Sequence, residues 1–296
     1  MAKLINVGII GLDTSHSIQF AKRIQGPDCP PEERVEGMRA VACMRFETPF
    51  QDKKGLDERQ KQLEEWGVRV TTDFNEAVRD CDVIMIEIND PAYHLEYFTK
   101  CAKLGKPMFL DKPLAENIKN GRAIYDMIKK QNLRVFSSSS LRFVPELLKA
   151  CESVPSPLYV NVFCPLVQAP SGSSIIWYGV HAFEMLERAM GRGAKSVTTT
   201  EDSTGVVMLV EYPDKRHGVV ELTNDAYQYG ACLRDKDKAV SFVADVEKLC
   251  SDELAEIIKF FNGADAPSQI EDALEVMAML DASECSHKSG KNVKIK

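Results

Sequence analysis

Short apolar runs alternate with amphipathic stretches through the first half of the chain. Residues 6–12 predict a buried strand ending in a turn, and 17–25 follow as a helix with Ile18, Ala21 and Ile24 on one face. Residues 26–37, with three prolines and several charges, read as a loop. Strands are predicted at 39–45, 68–71, 83–88, 107–110 and 133–137, with helices at 57–66, 75–79, 95–104 and 118–131 between them. Strand–helix alternation on this scale predicts a doubly wound parallel sheet, in which ligands meet the chain at the carboxyl ends of the strands. Functional residues are therefore expected just after each strand.

The second half changes period. Strands at 158–166, 197–200, 206–212 and 218–225 are separated by Gly, Pro and Asp turns, a helix spans 179–190, and two late helices cover 246–261 and 270–283. The expectation is an α/β chain with two domains. Residues 1–137 form a Rossmann-type domain, and 138–296 form an α+β domain with an open, mainly antiparallel sheet. The outer face of that sheet leaves apolar strands uncovered in a monomer, so a homo-oligomer through the face is expected.

A length of 296 residues suits two cores. The net charge of −7, from 37 basic and 44 acidic residues, lacks the basic excess that phosphate backbones require, so no nucleic-acid partner is expected. The apolar run at 4–12 is too short to cross a bilayer and lacks a leader's cleavage site, and no other segment reaches membrane-spanning length. The 9 cysteines are scattered without a close pair, as for reduced thiols packed in a cytoplasmic protein.

The chemistry-bearing residues fall where the strands end. After the first strand come Gly11, Asp13, Thr14, Ser15 and His16. A dinucleotide fingerprint wants three glycines here, so that backbone approaches a pyrophosphate over a helix N-terminus. Only Gly11 is present, with Asp13 and His16 at the second and third positions. By themselves these residues fit a capped strand–turn–helix equally well. Further on come Asp90 and His94, then Gly105, Lys106 and Pro107 leading to Asp111, Lys112 and Pro113, then Arg142, Phe143 and Pro145.

In this order and spacing the segments resemble the Gfo/Idh/MocA family, the glucose–fructose oxidoreductase and inositol dehydrogenase group, with Asp111 where the family has Glu. Tyr178, Gly179 and His181 opening a helix, and Pro267, Ser268, Glu271 and Asp272 before the last helix, resemble it too. The resemblance implies a nicotinamide cofactor, NAD or NADP, and a sugar-like or polyol substrate. It places Lys112 and His181 beside the reacting carbon as catalytic residues. A histidine near neutral pKa can take the proton of an alcohol, and a lysine can stabilise the developing alkoxide. Gly11, Asp13, Thr14, Ser15, His16, Asn89, Asp90, His94 and Asp111 are then the candidate cofactor contacts, with His94 orienting its loop or helix start. Arg142, Trp177 and Tyr178 are substrate candidates, Arg142 either binding a substrate oxygen or tying the domains together. At the end of the second strand an acidic residue would favour NAD, whereas Arg45 favours NADP.

Three departures stand out. Asp13 is expected to face the pyrophosphate and repel it; Glu87, Asn89 and Asp90 add polar and acidic groups nearby; and Trp177 stands where the family places an aspartate before the helix histidine. They leave two other classes open: a non-redox ligand-binding or regulatory protein on the same fold, and a metal-dependent lyase or hydrolase using Asp13, His16 and Asp90.

Overall fold

A computed structural model describes residues 4–295; Met1, Ala2 and Lys3, the start read for a leader, lie outside the described residues. The chain divides into two compact units. The first holds the chain up to Ala115 with Arg122–Ser137 and Cys250–Gln269, and the second holds Glu116–Gly121, Ser138–Leu249 and Ile270 onward. Residues 250–269 thus belong to the first unit although they follow the expected boundary at 137 and 138.

In the first unit the strands β1 (Ile5–Ile10), β2 (Met38–Met44), β3 (Arg69–Thr71), β4 (Val83–Ile86), β5 (Met108–Asp111) and β6 (Val135–Ser138) lie in the order β3-β2-β1-β4-β5-β6. The pairs β1–β2, β1–β4, β2–β3 and β4–β5 are parallel. Every residue of β4, β5 and β6 is buried, as expected of strands covered on both faces. The helices are α1 (His16–Gln25), α2 (Lys53–Glu65), α3 (Phe74–Val78), α4 (His94–Ala102) and α5 (Ile118–Gln131). Helix α2 starts before the predicted 57 because the Asp52 side chain caps it, accepting the Gly55 amide at 2.8 Å.

The second unit contains α6 (Pro145–Ser153), β7 (Tyr159–Pro165), α7 (Ser174–Met190), β8 (Ser196–Asp202), β9 (Gly205–Glu211), β10 (His217–Thr223), β11 (Gly230–Arg234) and β12 (Ala239–Val243). After α8 (Leu249–Phe261) come α9 (Ile270–Ser289) and β13 (Val293–Lys294). The sheet runs β12-β11-β7-β10-β9-β8-β13 and is antiparallel except for the β7–β10 pair. Helix α7 packs on β7 and β10, and α9 on β8 and α7.

Both expected sheets are present, and pattern reading missed α6, β11 and β12. Helix α6 opens on Pro145, whose missing N–H suits a first helical position. Strand β12 reads Ala-Val-Ser-Phe-Val, a short apolar run that pattern reading passed over, although its residues are only half-buried or exposed in the fold. Helix α8 begins at the edge of the second unit, but its body returns to the first. There Phe260 meets Phe136 edge-on at 5.1 Å, and its carbonyl accepts from Arg134 at 2.8 Å.

Candidate active site

The turn after β1 is built around Gly11. Its φ is +110°, and a Cβ would lie 2.1 Å from the Glu87 carbonyl oxygen, so only glycine lets β1 and the end of β4 approach this closely. Asp13 then turns inward. Its Oδ1 accepts the Asn89 amide at 2.9 Å, and its Oδ2 accepts the Thr48 hydroxyl at 2.8 Å and the Asp90 amide at 3.3 Å. At 1 % exposure, burial raises its pKa despite these donors. The carboxylate is thus a strut between two loops, which corrects the expectation that it faces a pyrophosphate. Asp90 is likewise engaged, accepting the Ala92 amide at 3.0 Å as a cap. Among the described residues Asp13, His16 and Asp90 do not bring their ligand atoms together, so the metal reading built on those three gives way.

Thr14 accepts the His16 amide at 3.2 Å, while exposed Ser15 stands at the N-cap of α1 without a side-chain capping bond. No acidic residue belongs to the first turn of α1 itself, although Asp111 and Glu87 approach its first residue, His16. His94 is buried and bonds the Ile88 carbonyl at 2.7 Å through Nε2; a carbonyl only accepts, so this nitrogen carries the proton. This bond ties His94 to the loop after β4.

Deeper in the same edge, His16 Nδ1 lies 3.0 Å from Asp111 Oδ2 and 4.0 Å from Glu87 Oε2. Asp111 Oδ1 accepts the Lys112 amide at 2.8 Å. The His16 and Lys112 charges hold the Asp111 carboxyl below its usual range against the cost of burial. Glu87 is driven the other way, well above its ordinary value, first by burial and then by Asp111 and Glu253. Lys112 follows β5 directly and is 7 % exposed, with a cis bond to Pro113.

At the end of β2 a pocket is lined by Arg45, Phe46, Glu47, Lys53, Asp57 and Tyr97, among others. Arg45 donates to Asp57 at 2.8 Å and to Gln60 at 2.6 Å, and Lys53 reaches the other Asp57 oxygen at 2.7 Å. Phe46 stacks on Tyr97 with centroids 4.6 Å apart.

In the second unit, Ser173 caps α7 and starts it well before the predicted 179, which brings Trp177 and Tyr178 onto the helix with His181. His181 Nδ1 and Ser139 Oγ are 2.6 Å apart. The Tyr178 ring meets His181 edge-on at 5.1 Å and lies 5.5 Å from Trp177, and its hydroxyl is 2.5 Å from that of Tyr229. Burial and this bond push the Tyr229 phenol up.

Arg142 is enclosed, 4 % exposed, with Glu184 at 2.9 Å, Glu187 at 2.6 Å and Asp272 at 3.6 Å. All four groups belong to the second unit. Enclosed by these acids it does not offer its guanidinium to a substrate, and it clamps α7 to α9. Burial raises the Glu184 carboxyl to about 7 even beside Arg142.

The structure therefore collects Gly11, Asp13, Thr14, Ser15, His16, Asn89, Asp90, His94, Asp111 and Lys112 at one edge of the first sheet. Sequence reasoning missed the part of Ser139, which stands in a run of four serines at 137–140, and saw Glu87 only as added charge. Tyr229 carried no motif signal.

Residues 54–139 match the oxidoreductase family with an NAD-binding Rossmann fold named Gfo/Idh/MocA. Over 170 residues, 57% of this chain, the sequence is 26% identical to "Oxidoreductase P35" of Formosa agariphila, and the chain spans about half that protein's length, 48%. Scyllo-inositol dehydrogenase of Lactobacillus casei, solved with bound NAD(H) and scyllo-inositol, is 17% identical with a TM-score of 0.79 over 99% of each chain. A myo-inositol dehydrogenase of Corynebacterium glutamicum is 14% identical with a TM-score of 0.78, again over 99% of each chain. At these identities the solved structures speak for the fold.

Proposed function

We propose that this chain, whose residues 54–139 match the Gfo/Idh/MocA oxidoreductase family, is a member of that family and an NAD(P)-dependent dehydrogenase of a sugar-like or polyol substrate. The observation that carries the reading is Lys112. It stands directly after β5 at the carboxyl edge of a Rossmann-type sheet, beside a buried Asp111 carboxylate, within the segment that matches the family. The turn after β1 offers a dinucleotide the tight glycine and a helix start, with the Asp13 carboxylate already bound by amides.

When bound, a nicotinamide would supply the hydride-transfer chemistry at the substrate carbon. This chain's residues bind the substrate and move its hydroxyl proton. Lys112 places a cation where the alcohol oxygen becomes alkoxide, and His181 takes the proton at Nε2 when its Nδ1–H donates to Ser139 Oγ. Tyr178 and Trp177 supply substrate contacts from the same helix.

Arg45 and Lys53 put two cations around Asp57 in the β2-end pocket, where a doubly wound fold receives the cofactor's ribose, and this favours NADP. A homo-oligomer built through the outer face of the second sheet completes the proposal.

The test is calorimetric titration with NADP(H) and NAD(H), followed by a screen of polyols and sugars. NADP(H) is expected to bind more tightly, and Arg45→Ala to narrow the difference. Lys112→Met should lower kcat by about 10²–10⁴-fold with cofactor affinity unchanged, circular dichroism checking that the variant is folded. Failure of both cofactors to bind at millimolar concentration would overturn the reading.

A further inference from the structure

His16, Glu87 and Asp111 each offer one ligand atom, and the three atoms lie within 4.8 Å of one another. They come from three separate places in the sheet edge: the first residue of α1, the residue after β4, and the last residue of β5. Glu87 is 0 % exposed, and neither of its carboxylate oxygens has a hydrogen-bond partner among the described residues. A buried carboxyl group with both oxygens unsatisfied is costly. Asp13, also buried and acidic, meets the same problem differently: it gathers two amides and a hydroxyl. Glu87 gathers nothing of the kind and points at His16 and Asp111 instead.

The charge around Glu87 is unbalanced. Asp111 and Glu253, both fully buried, press on it as like charges, and Lys112 is the cation acting against them. His16 is already drawn to Asp111. One imidazole and two carboxylates suit a first-row divalent ion such as zinc or manganese better than calcium or magnesium, which prefer oxygen alone.

We infer that His16 Nδ1, Glu87 and Asp111 bind one first-row divalent metal ion at the carboxyl edge of the first sheet. The ion satisfies the unpartnered Glu87 oxygens and brings a double positive charge among the buried acids. Three protein ligands leave coordination positions open, which an oxygen of water or of a bound ligand can take. The site goes beyond the dehydrogenase reading and does not depend on it.

The test uses the full chain, freed of metal with a chelator and kept without nicotinamide. Zn²⁺ and Mn²⁺ are titrated by calorimetry, and Co²⁺ by its visible absorption bands. One equivalent should bind, with at least a tenfold loss of affinity in both His16→Ala and Glu87→Gln. Glu87→Gln keeps the side chain's shape, and circular dichroism of the metal-free variants checks that each is folded; if His16→Ala is not, Asp111→Asn takes its place. Binding of less than one equivalent by the native chain, or unchanged affinity in the folded variants, overturns the proposal and leaves a plain His16–Asp111 ion pair. Metal binding without nicotinamide binding would sink the dehydrogenase reading alone, and the reverse would sink the metal site alone.

Discussion

Asp13 shows how one side chain's orientation reverses an argument. As a letter in a glycine fingerprint it is an anion set against a pyrophosphate. In the fold it accepts from Asn89, Asp90 and Thr48 and holds the loop after β4 to the turn after β1. Replacing it with glycine should therefore cost stability instead of opening a site. Asp13→Gly leaves two amides and a hydroxyl without their acceptor and should destabilise the chain by about 1–3 kcal/mol in urea denaturation. Affinity for NADP(H) should not rise. A variant of native stability that binds the cofactor more tightly would return the carboxylate to the pyrophosphate.

At the scale of elements, α7 and α9 are joined through a buried ionic cluster in which Arg142 faces Glu184, Glu187 and Asp272. Burial pushes the Glu184 carboxyl up to about 7 from an ordinary 4.5, because one guanidinium shared among three acids does not offset it. The native state keeps this proton over an interval in which the unfolded chain has released it. The unfolded state thus binds fewer protons, and this group's contribution to stability falls as pH rises from about 4.5 to about 7. Glu184→Gln removes the contribution. Denaturation midpoints measured across that interval should fall more steeply with pH in the native chain than in the variant. Parallel profiles would mean that Glu184 titrates as an ordinary carboxyl.

At the scale of the whole molecule, the second sheet covers one face with α7 and α9 and leaves the other open. Val207 and Leu209 on β9 are 41 % and 39 % exposed, and Leu209 pairs with Val219 across the strand. Exposed Glu221 and Asn161 interrupt this patch, so the face is mixed instead of wholly apolar. The proposed homo-oligomer would bury its apolar centre. Leu209→Asp should shift the sedimentation coefficient to that of a 33.1 kDa monomer while the circular dichroism spectrum stays native. A native chain that already sediments as a monomer at micromolar concentration would end the oligomer proposal. Among the described residues no helix is long and apolar enough to cross a membrane.

What the sequence determined by itself was the order and kind of the elements. A strand buried on both faces must be an apolar run, and a helix with one face buried must repeat near 3.6 residues, so periodicity alone places β1, β4, β5, α1 and α5 to within a few residues. The strand-end rule then located Gly11, Asp111 and Lys112, because in such a sheet the functional edge follows from the connectivity. It did not show where polar side chains point or what satisfies them, since hydrogen bonds and ion pairs join residues far apart in the chain. Asp13 reaches Asn89, Arg142 reaches Glu184 and Asp272, and His16 meets Glu87 and Asp111 only after the strands are assembled. Burial decided the rest: the same carboxyl group is a strut at 13, holds its charge beside His16 and Lys112 at 111, and at 87 lacks a hydrogen-bond partner for either oxygen among the described residues.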